Sequence, residues 1–262
     1  MGFIFSTSRD WVARVLLAIG IGPNTLTVFG VLLTIATGIC FALGTGKQFA
    51  WTLRTDTLGN AWLFVAGVVL FFAFACDMLD GAVARIGKCG SPFGAFLDST
   101  IDRLSDFVIF TGILMGYAMN DPANLTFILL SAMAFFNSFG ISYAKARAEN
   151  LIESCPVGYW QRGERSAAII ISAFAANMPA LVIQQSIFPF FTFWRRVSYV
   201  HTVMVGKPVE TDPAKCVWWV KCQLWRWRRM SWQYDVITLL NIAWLIFARI
   251  EPVDIFRAIG GS

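Results

Sequence analysis

Four aspartates stand at helical spacing inside one of the most apolar stretches of this chain. The segment reads Asp77-Met78-Leu79-Asp80-Gly81-Ala82-Val83-Ala84-Arg85, and after eight further residues Gly94, Asp98 and Asp102 follow at intervals of four. Asp77, Asp80, Gly81 and Ala84 lie three or four residues apart and share one helix face. Gly94, Asp98 and Asp102 share a face of the helix that follows. An unpaired carboxylate in apolar surroundings costs on the order of several kcal/mol, so these groups must share a cation or a water-filled cavity. A metal site is the natural resolution.

The elements that hold these residues are expected to be membrane helices. The chain has 262 residues, 57% hydrophobic and only 14% charged, against roughly 25% charged in a soluble domain. Its mean hydropathy is +0.62. The expected fold is all-α, a polytopic transmembrane bundle of six spans preceded by an interfacial amphipathic helix. That first helix runs from Arg9 to Ile19, with Trp11, Val15 and Leu16 on one side. The N-terminus lacks the cationic region, short apolar core and small-residue cleavage site of a secretory signal, so its apolar segments are expected to be retained. Pro23 and Asn24 act as breaker and cap for a span over about residues 25–44. A second span, about 61–86, carries the first half of the acidic motif at its C-terminal end. Gly87 to Pro92 forms a tight turn, and a third helix over about 93–118 opens with the second half. Both acidic clusters therefore meet at one membrane face. A fourth span runs from Asp121-Pro122 to Glu149.

The basic residues Arg9, Arg14, Arg85, Lys88, Lys145, Arg147, Arg162 and Arg165 fall on the motif side, which the positive-inside rule makes cytoplasmic; Lys47 and Arg54 lie opposite. The apolar run from Ser166 to Trp194 is short for two spans of about 20 residues and is interrupted by Pro179, Gln184, Gln185 and Pro189. Two abbreviated helices ending by residue 194 are expected here, or else one helix with a returning span at Gln233 to Ile250. The chain divides into a membrane domain, 1–205, and a basic, Trp-rich extension, 206–262, that is an interfacial helix or an extra span. In the extension Trp218, Trp219, Trp225, Trp227 and Trp232 alternate with lysine and arginine, as suits anionic headgroups. The net charge of +5 fits basic loops facing lipid, and no nucleic-acid partner is expected. Six scattered cysteines suggest neither a disulfide framework nor a zinc site, and His201 is expected in a loop.

The spacing Asp, two residues, Asp-Gly, two residues, Ala-Arg, eight residues, Gly, three residues, Asp, three residues, Asp resembles the signature of the CDP-alcohol phosphotransferase family. All eight defining residues are present. Members of that family transfer a phosphate-linked lipid from a CDP-lipid to an alcohol and release CMP. The resemblance implies that Asp77, Asp80 and Asp98 ligate Mg²⁺ or Mn²⁺, with two ions expected. Asp102 either takes the proton of the acceptor hydroxyl as general base or completes the metal cage. Arg85 would pair with the pyrophosphate. Gly81, Ala84 and Gly94 would let the nucleotide approach the backbone, bordered by Asn24 and Thr27.

Ser142-Tyr143-Ala144-Lys145-Ala146-Arg147-Ala148-Glu149 and Gln161-Arg162-Gly163-Glu164-Arg165 resemble elements of the phosphatidylinositol phosphate synthase branch. Gln161 and Gly163 depart from its Glu-Arg-Pro-Glu-Arg pattern. By this resemblance Lys145, Arg147, Arg165 and Arg195 would hold an acceptor phosphate, with CDP-diacylglycerol as donor and inositol phosphate as favoured acceptor. Glycerol 3-phosphate is the alternative acceptor. A non-enzymatic divalent-cation transporter is the alternative class, although the acids lie near a helix end and no inverted repeat is visible. The resemblance also implies an enzyme of the inner cell membrane, surrounded by membrane lipids, and a homodimer.

Overall fold

The computed structural model describes residues 2–46, 58–120, 122–206, 227, 231–248 and 250–260. Every regular element among them is an α-helix. In chain order these are α1 (Gly2–Ala18), α2 (Pro23–Gly44), α3 (Leu58–Ile86), α4 (Pro92–Ala118), α5 (Leu125–Ala148), α6 (Arg162–Phe174), α7 (Met178–Met204), α8 (Trp232–Phe247) and α9 (Ile255–Gly260). Lys47, Arg54, Trp218, Trp219 and Trp225 lie outside the described residues. Cys40, Cys76, Cys89 and Cys155 are free thiols, and His201 lies in the last turn of α7 rather than in a loop.

Packing starts from small residues. Helix α2 lies against α3 and α4, and its buried stripe is Leu26, Gly30, Thr34, Thr37, Gly38 and Phe41. On α4, Gly112 and Gly116 stand four apart; a β-carbon at Gly112 would collide with the Gly38 carbonyl, and one at Gly116 with the Thr45 side chain. Between lipid-exposed helices the attraction is van der Waals contact rather than the hydrophobic effect, so small residues permit the close approach that association needs. This crossing fixes α4, which carries one half of the acidic motif, against α2, which also packs on α3, the carrier of the other half. Helix α1 is longer than expected and packs on α3 through Ala13, Leu16 and Leu17 against Ala82 and Val83. Trp11 and Val15 point outward, as an interfacial helix requires, but Leu16, expected on their side, turns inward onto α3.

Two corrections concern helix ends. The N-cap of α2 is Gly22 with Pro23 at the first helical position, so Asn24 lies inside the first turn and caps nothing. Proline suits that place because its missing N–H would have had no partner there. The second helix of the pair after residue 166 also runs on to Met204 instead of ending at Trp194. Its internal Pro189 removes an N–H and leaves the Gln185 carbonyl, four residues earlier, without its helical donor. Asn137 of α5 supplies one, donating to Gln185 O at 3.2 Å and Ser186 O at 2.6 Å. A side chain from a neighbouring helix thus repairs the break and lets α7 continue.

Among the described residues, three helices are long and apolar enough to cross a membrane: Pro23–Gly44, Ala61–Ile86 and Leu125–Ala148. Helices α4 and α7 have 27 residues each, but α4 carries four charged residues between Asp98 and Asp106 and α7 carries Gln184, Gln185, Arg195 and Arg196, while α6 has only 13 residues. The count of six crossings is therefore an expectation taken from the resemblance. The segment considered as a returning span is a shorter apolar helix, α8.

Helix α8 is bound to the bundle by polar contacts. Asn177 donates to Leu245 O and Ala248 O, both at 2.8 Å; Gln184 donates to Asn241 Oδ1 at 2.8 Å; and Trp244 Nε1 donates to Ala180 O at 3.0 Å. Beyond it, Asp254 accepts from the Leu125 and Thr126 amides and from Thr126 Oγ1, so it serves the N-terminal turn of α5 beside the cap residue Asn124. Desolvation opposes the charged form of Asp254, but these hydrogen bonds outweigh it and hold the carboxyl below the usual carboxylate range. A depressed folded value means that the contribution is complete above the ordinary aspartate value of about 3.9 and fades as pH falls through the folded value. Asp254→Asn should therefore unfold at a lower temperature than wild type near neutral pH, and the gap should close in acid. A gap that is constant from about pH 7 to about pH 3 would count against this role.

Candidate active site and metal centre

The turn after α3 is built to fold α4 back at once. Lys88 takes a left-handed conformation (φ 50°), and Cys89 N donates to Ala84 O at 3.1 Å. Ser91 then caps α4, accepting from Gly94 N at 3.0 Å, with Pro92 at the first helical position. The C-terminal turns of α3 and the N-terminal turns of α4 thereby face a common site, with α2 packed against both helices. One carboxylate oxygen each from Asp77, Asp98 and Asp102 lies within 4.8 Å of the other two. Oxygen ligands on one octahedral Mg²⁺ at about 2.1 Å stand about 3–4 Å apart, so this donor set fits a hard divalent ion with little adjustment.

Asp80 is not in that group. It is buried and accepts from Thr27 Oγ1 at 2.7 Å, which ties α2 to the motif. Beside it lies a cavity of about 400 Å³ lined by Asn24, Thr27, Asp80, Gly81, Ala84, Gly94 and Asp98. Five of the six residues expected at the nucleotide therefore border one space. A β-carbon at Gly81 would meet nothing within 4 Å, so the glycine leaves room rather than serving helix packing. Arg85, the sixth, is exposed on the last turn of α3.

The cluster of three acids is closed by a residue that motif reading passed over. Arg162 Nη1 donates to both Asp77 oxygens at 3.1 and 2.9 Å and lies 2.6 Å from Asp102 Oδ1. It comes from the first turn of α6, whose approach is set by the preceding turn. Gly158 has φ +95° and sits where a β-carbon would strike Thr192 of α7, a conformation and a contact that only glycine accepts. Trp160 N donates to Thr192 Oγ1 at 3.2 Å. Arg196, buried, donates to Val157 O, Ile141 O and Gln161 Oε1.

The residues expected at an acceptor phosphate occupy different settings. Lys145 is exposed and 3.7 Å from Glu149, and Arg147 is exposed on the same turn of α5. Arg165 is buried: it donates to Trp160 O at 3.3 Å, Ser142 Oγ at 3.4 Å and Asp106 Oδ2 at 3.3 Å. Arg195 lines a separate cavity of about 380 Å³ with Trp160, Phe191 and Trp244. Asp106 extends the row Gly94, Asp98, Asp102 by one more turn, a spacing visible in the sequence, and it also accepts from Ser138 Oγ at 2.6 Å. Removing one member of a nearly buried ion pair leaves the other uncompensated, at a cost of about 3–5 kcal/mol. Arg165→Leu should therefore lower the thermal unfolding temperature more than Arg165→Leu combined with Asp106→Leu. Equal loss in both variants would mean that the pair is not coupled in this way.

The chain matches the CDP-alcohol phosphatidyltransferase family over residues 21–208. It is 38% identical over 145 residues to an uncharacterised protein of Aquifex aeolicus, covering 55% of this chain and 64% of that one. It is 33% identical over 187 residues to the archaetidylinositol phosphate synthase of Pyrococcus horikoshii, covering 71% of this chain and 87% of the relative. Its fold is similar to the crystal structure of Mycobacterium tuberculosis phosphatidylinositol phosphate synthase with CDP-DAG bound: TM-score 0.62, 29% identity, 74% of this chain and 94% of the other. A second crystal structure of that protein, in complex with manganese and citrate, gives a TM-score of 0.61 at 29% identity over 74% of this chain and 89% of the other. With the acidic motif on α3 and α4 converging beside a cavity, and the match spanning most of its length, the chain belongs to the CDP-alcohol phosphatidyltransferase family and is an integral membrane enzyme of that type.

Proposed function

We propose that this enzyme transfers a phosphatidyl group from CDP-diacylglycerol to inositol phosphate and releases CMP. The observation that carries the proposal is the position of the three-carboxylate cluster at one edge of the 400 Å³ cavity, with Asp98 belonging to both. Asp77, Asp98 and Asp102 would hold the divalent metal, Mg²⁺ or Mn²⁺, with Asp80 nearby on the cavity side. When bound, such an ion would neutralise pyrophosphate charge and polarise the phosphorus under attack. The chain's own residues supply the rest. The cavity walls at Gly81, Ala84 and Gly94 admit the cytidine, Asn24 and Thr27 border it, and Arg85 offers a guanidinium to the pyrophosphate from the helix end. The acceptor hydroxyl oxygen forms a bond to the phosphorus that carries diacylglycerol, the pyrophosphate P–O bond breaks, and CMP leaves. Asp102, which would offer one oxygen to the ion, would take the hydroxyl proton on its other oxygen.

The relatives named for inositol phosphate products support a phosphorylated polyol as acceptor, and Lys145, Arg147, Arg165 and Arg195 are the cations proposed to receive its phosphate. The catalytic unit would comprise residues 1–205, braced by the extension 206–262. It would work as a homodimer in the inner cell membrane with the site facing the cytoplasm, where basic flanking residues gather.

Two measurements test this reading. Purified protein given CDP-diacylglycerol and Mn²⁺ or Mg²⁺ should release CMP with inositol phosphate, and much less with glycerol 3-phosphate, serine or inositol. Asp98→Asn should lower that rate by about two orders of magnitude or more, the scale of several kcal/mol of lost charge stabilisation. Preference for glycerol 3-phosphate would reassign the acceptor, and full activity of Asp98→Asn would remove the metal assignment. Separately, Gly81→Leu should raise the KM for CDP-diacylglycerol by about tenfold or more. Its unfolding temperature should stay at or above that of wild type, since a helical glycine is replaced in open space. An unchanged KM would mean that the nucleotide does not use this cavity.

A further inference from the structure

The acidic cluster already holds a cation that belongs to the chain. One guanidinium nitrogen of Arg162 stands 2.9 Å from Asp77 and 2.6 Å from Asp102, between two of the three carboxylates whose oxygens converge within 4.8 Å. A divalent ion gripping those same oxygens would face the N–H bonds and positive charge of that nitrogen at a few ångströms, where like charges in a partly dry site repel strongly. Both cations cannot use the same oxygens in the same arrangement. The rest of the Arg162 head is lightly held: its Nε is buried with no hydrogen-bond partner, and its flat face lies 5.8 Å from the Phe74 ring. Release would therefore sacrifice few contacts other than those the metal replaces.

We propose that Arg162 is the resident counter-cation of the Asp77–Asp98–Asp102 cluster, exchanged for the divalent ion when the metal binds. The exchange offsets part of the negative charge and holds Asp77 and Asp102 together in the absence of metal, so that the site is assembled before the ion arrives. It also frees a guanidinium three residues from Arg165, on the same turn of α6. A phosphate-bearing substrate entering after the metal thus meets one more planar donor than it would find in the metal-free protein. This proposal rests on the metal-site reading above.

The test is Mn²⁺ binding without substrate, followed by the loss of the free-ion electron paramagnetic resonance signal in detergent-solubilised wild type, Arg162→Gln and Arg162→Lys. Arg162→Gln should bind Mn²⁺ about tenfold or more tightly than wild type, as removal of a like charge at this distance requires, with Arg162→Lys between them. A second readout uses the wild-type protein alone: phenylglyoxal labelling of Arg162, mapped by peptide mass spectrometry, should rise when Mn²⁺ saturates the site. Labelling of the buried Arg196 should stay constant. If Arg162→Gln fails to fold, the labelling decides by itself. Equal or weaker Mn²⁺ binding by a folded Arg162→Gln, or labelling that is unchanged or falls, overturns the exchange and leaves the metal site standing. Absence of Mn²⁺ uptake by wild type and variants alike overturns the metal site and the exchange together.

Discussion

Like charges brought together in a poorly hydrated place are the constraint on which the remainder of this molecule depends. Asp77 and Asp102 come from different helices, and their approach is unfavourable until a cation stands between them. The Gly38–Gly112 crossing, the left-handed reversal at Lys88 and the Ser91 cap all serve that approach: the first through the absence of side chains, the second through an unusual backbone conformation, the third through a side-chain oxygen. Their stabilising contributions are individually modest. Their joint effect is to hold acidic groups within 4.8 Å of one another, a separation that water alone would not favour.

The positive partner is delivered by a separate set of contacts. Arg162 and Arg165 sit on the first turn of α6, a helix too short to place itself by lipid burial. The preceding turn is instead fastened to α7 by Thr192 and Arg196, and α7 keeps its course past Pro189 because Asn137 serves the orphaned carbonyl. Buried amide and guanidinium groups thus act as fasteners where a soluble protein would rely on apolar packing. The same device recurs at α8, where Asn177, Gln184 and Trp244 make the contacts.

Much of this was legible in the residues. The four aspartates, both glycines and Ala84 follow a helical spacing that needs no tertiary information, and they do meet at one end of α3 and α4. The order and approximate bounds of α2 to α5 followed from apolar length and from breakers. Less legible was anything that depends on long-range contact. Asp106 continues the acidic row, yet its pairing with Arg165 joins residues 59 apart and has no local signature. Arg195 and Arg196 are adjacent and identical, and only packing separates them, the first lining a cavity and the second buried under the turn before α6. Asn24 has the composition of a cap, but the proline before it takes the first helical position and moves the cap to Gly22. The length of α7 was hidden because Gln184 and Pro189 read as interruptions until Asn241 of α8, which accepts from the first, and Asn137 of α5, which serves the carbonyl freed by the second, are known.

The hydrogen bonds from Leu125 and Thr126 to Asp254 span almost half the chain, and this has a consequence for biogenesis. Synthesis runs from the N-terminus, so α5 enters the bilayer long before the carboxylate that completes its first turn has left the ribosome. Until then its leading amides must rely on Asn124 and on headgroups or water at the membrane surface. Insertion of the early helices and closure of the assembled bundle are for that reason distinct events, and a chain stalled between them would present an unsealed helix start to the quality-control machinery of the membrane.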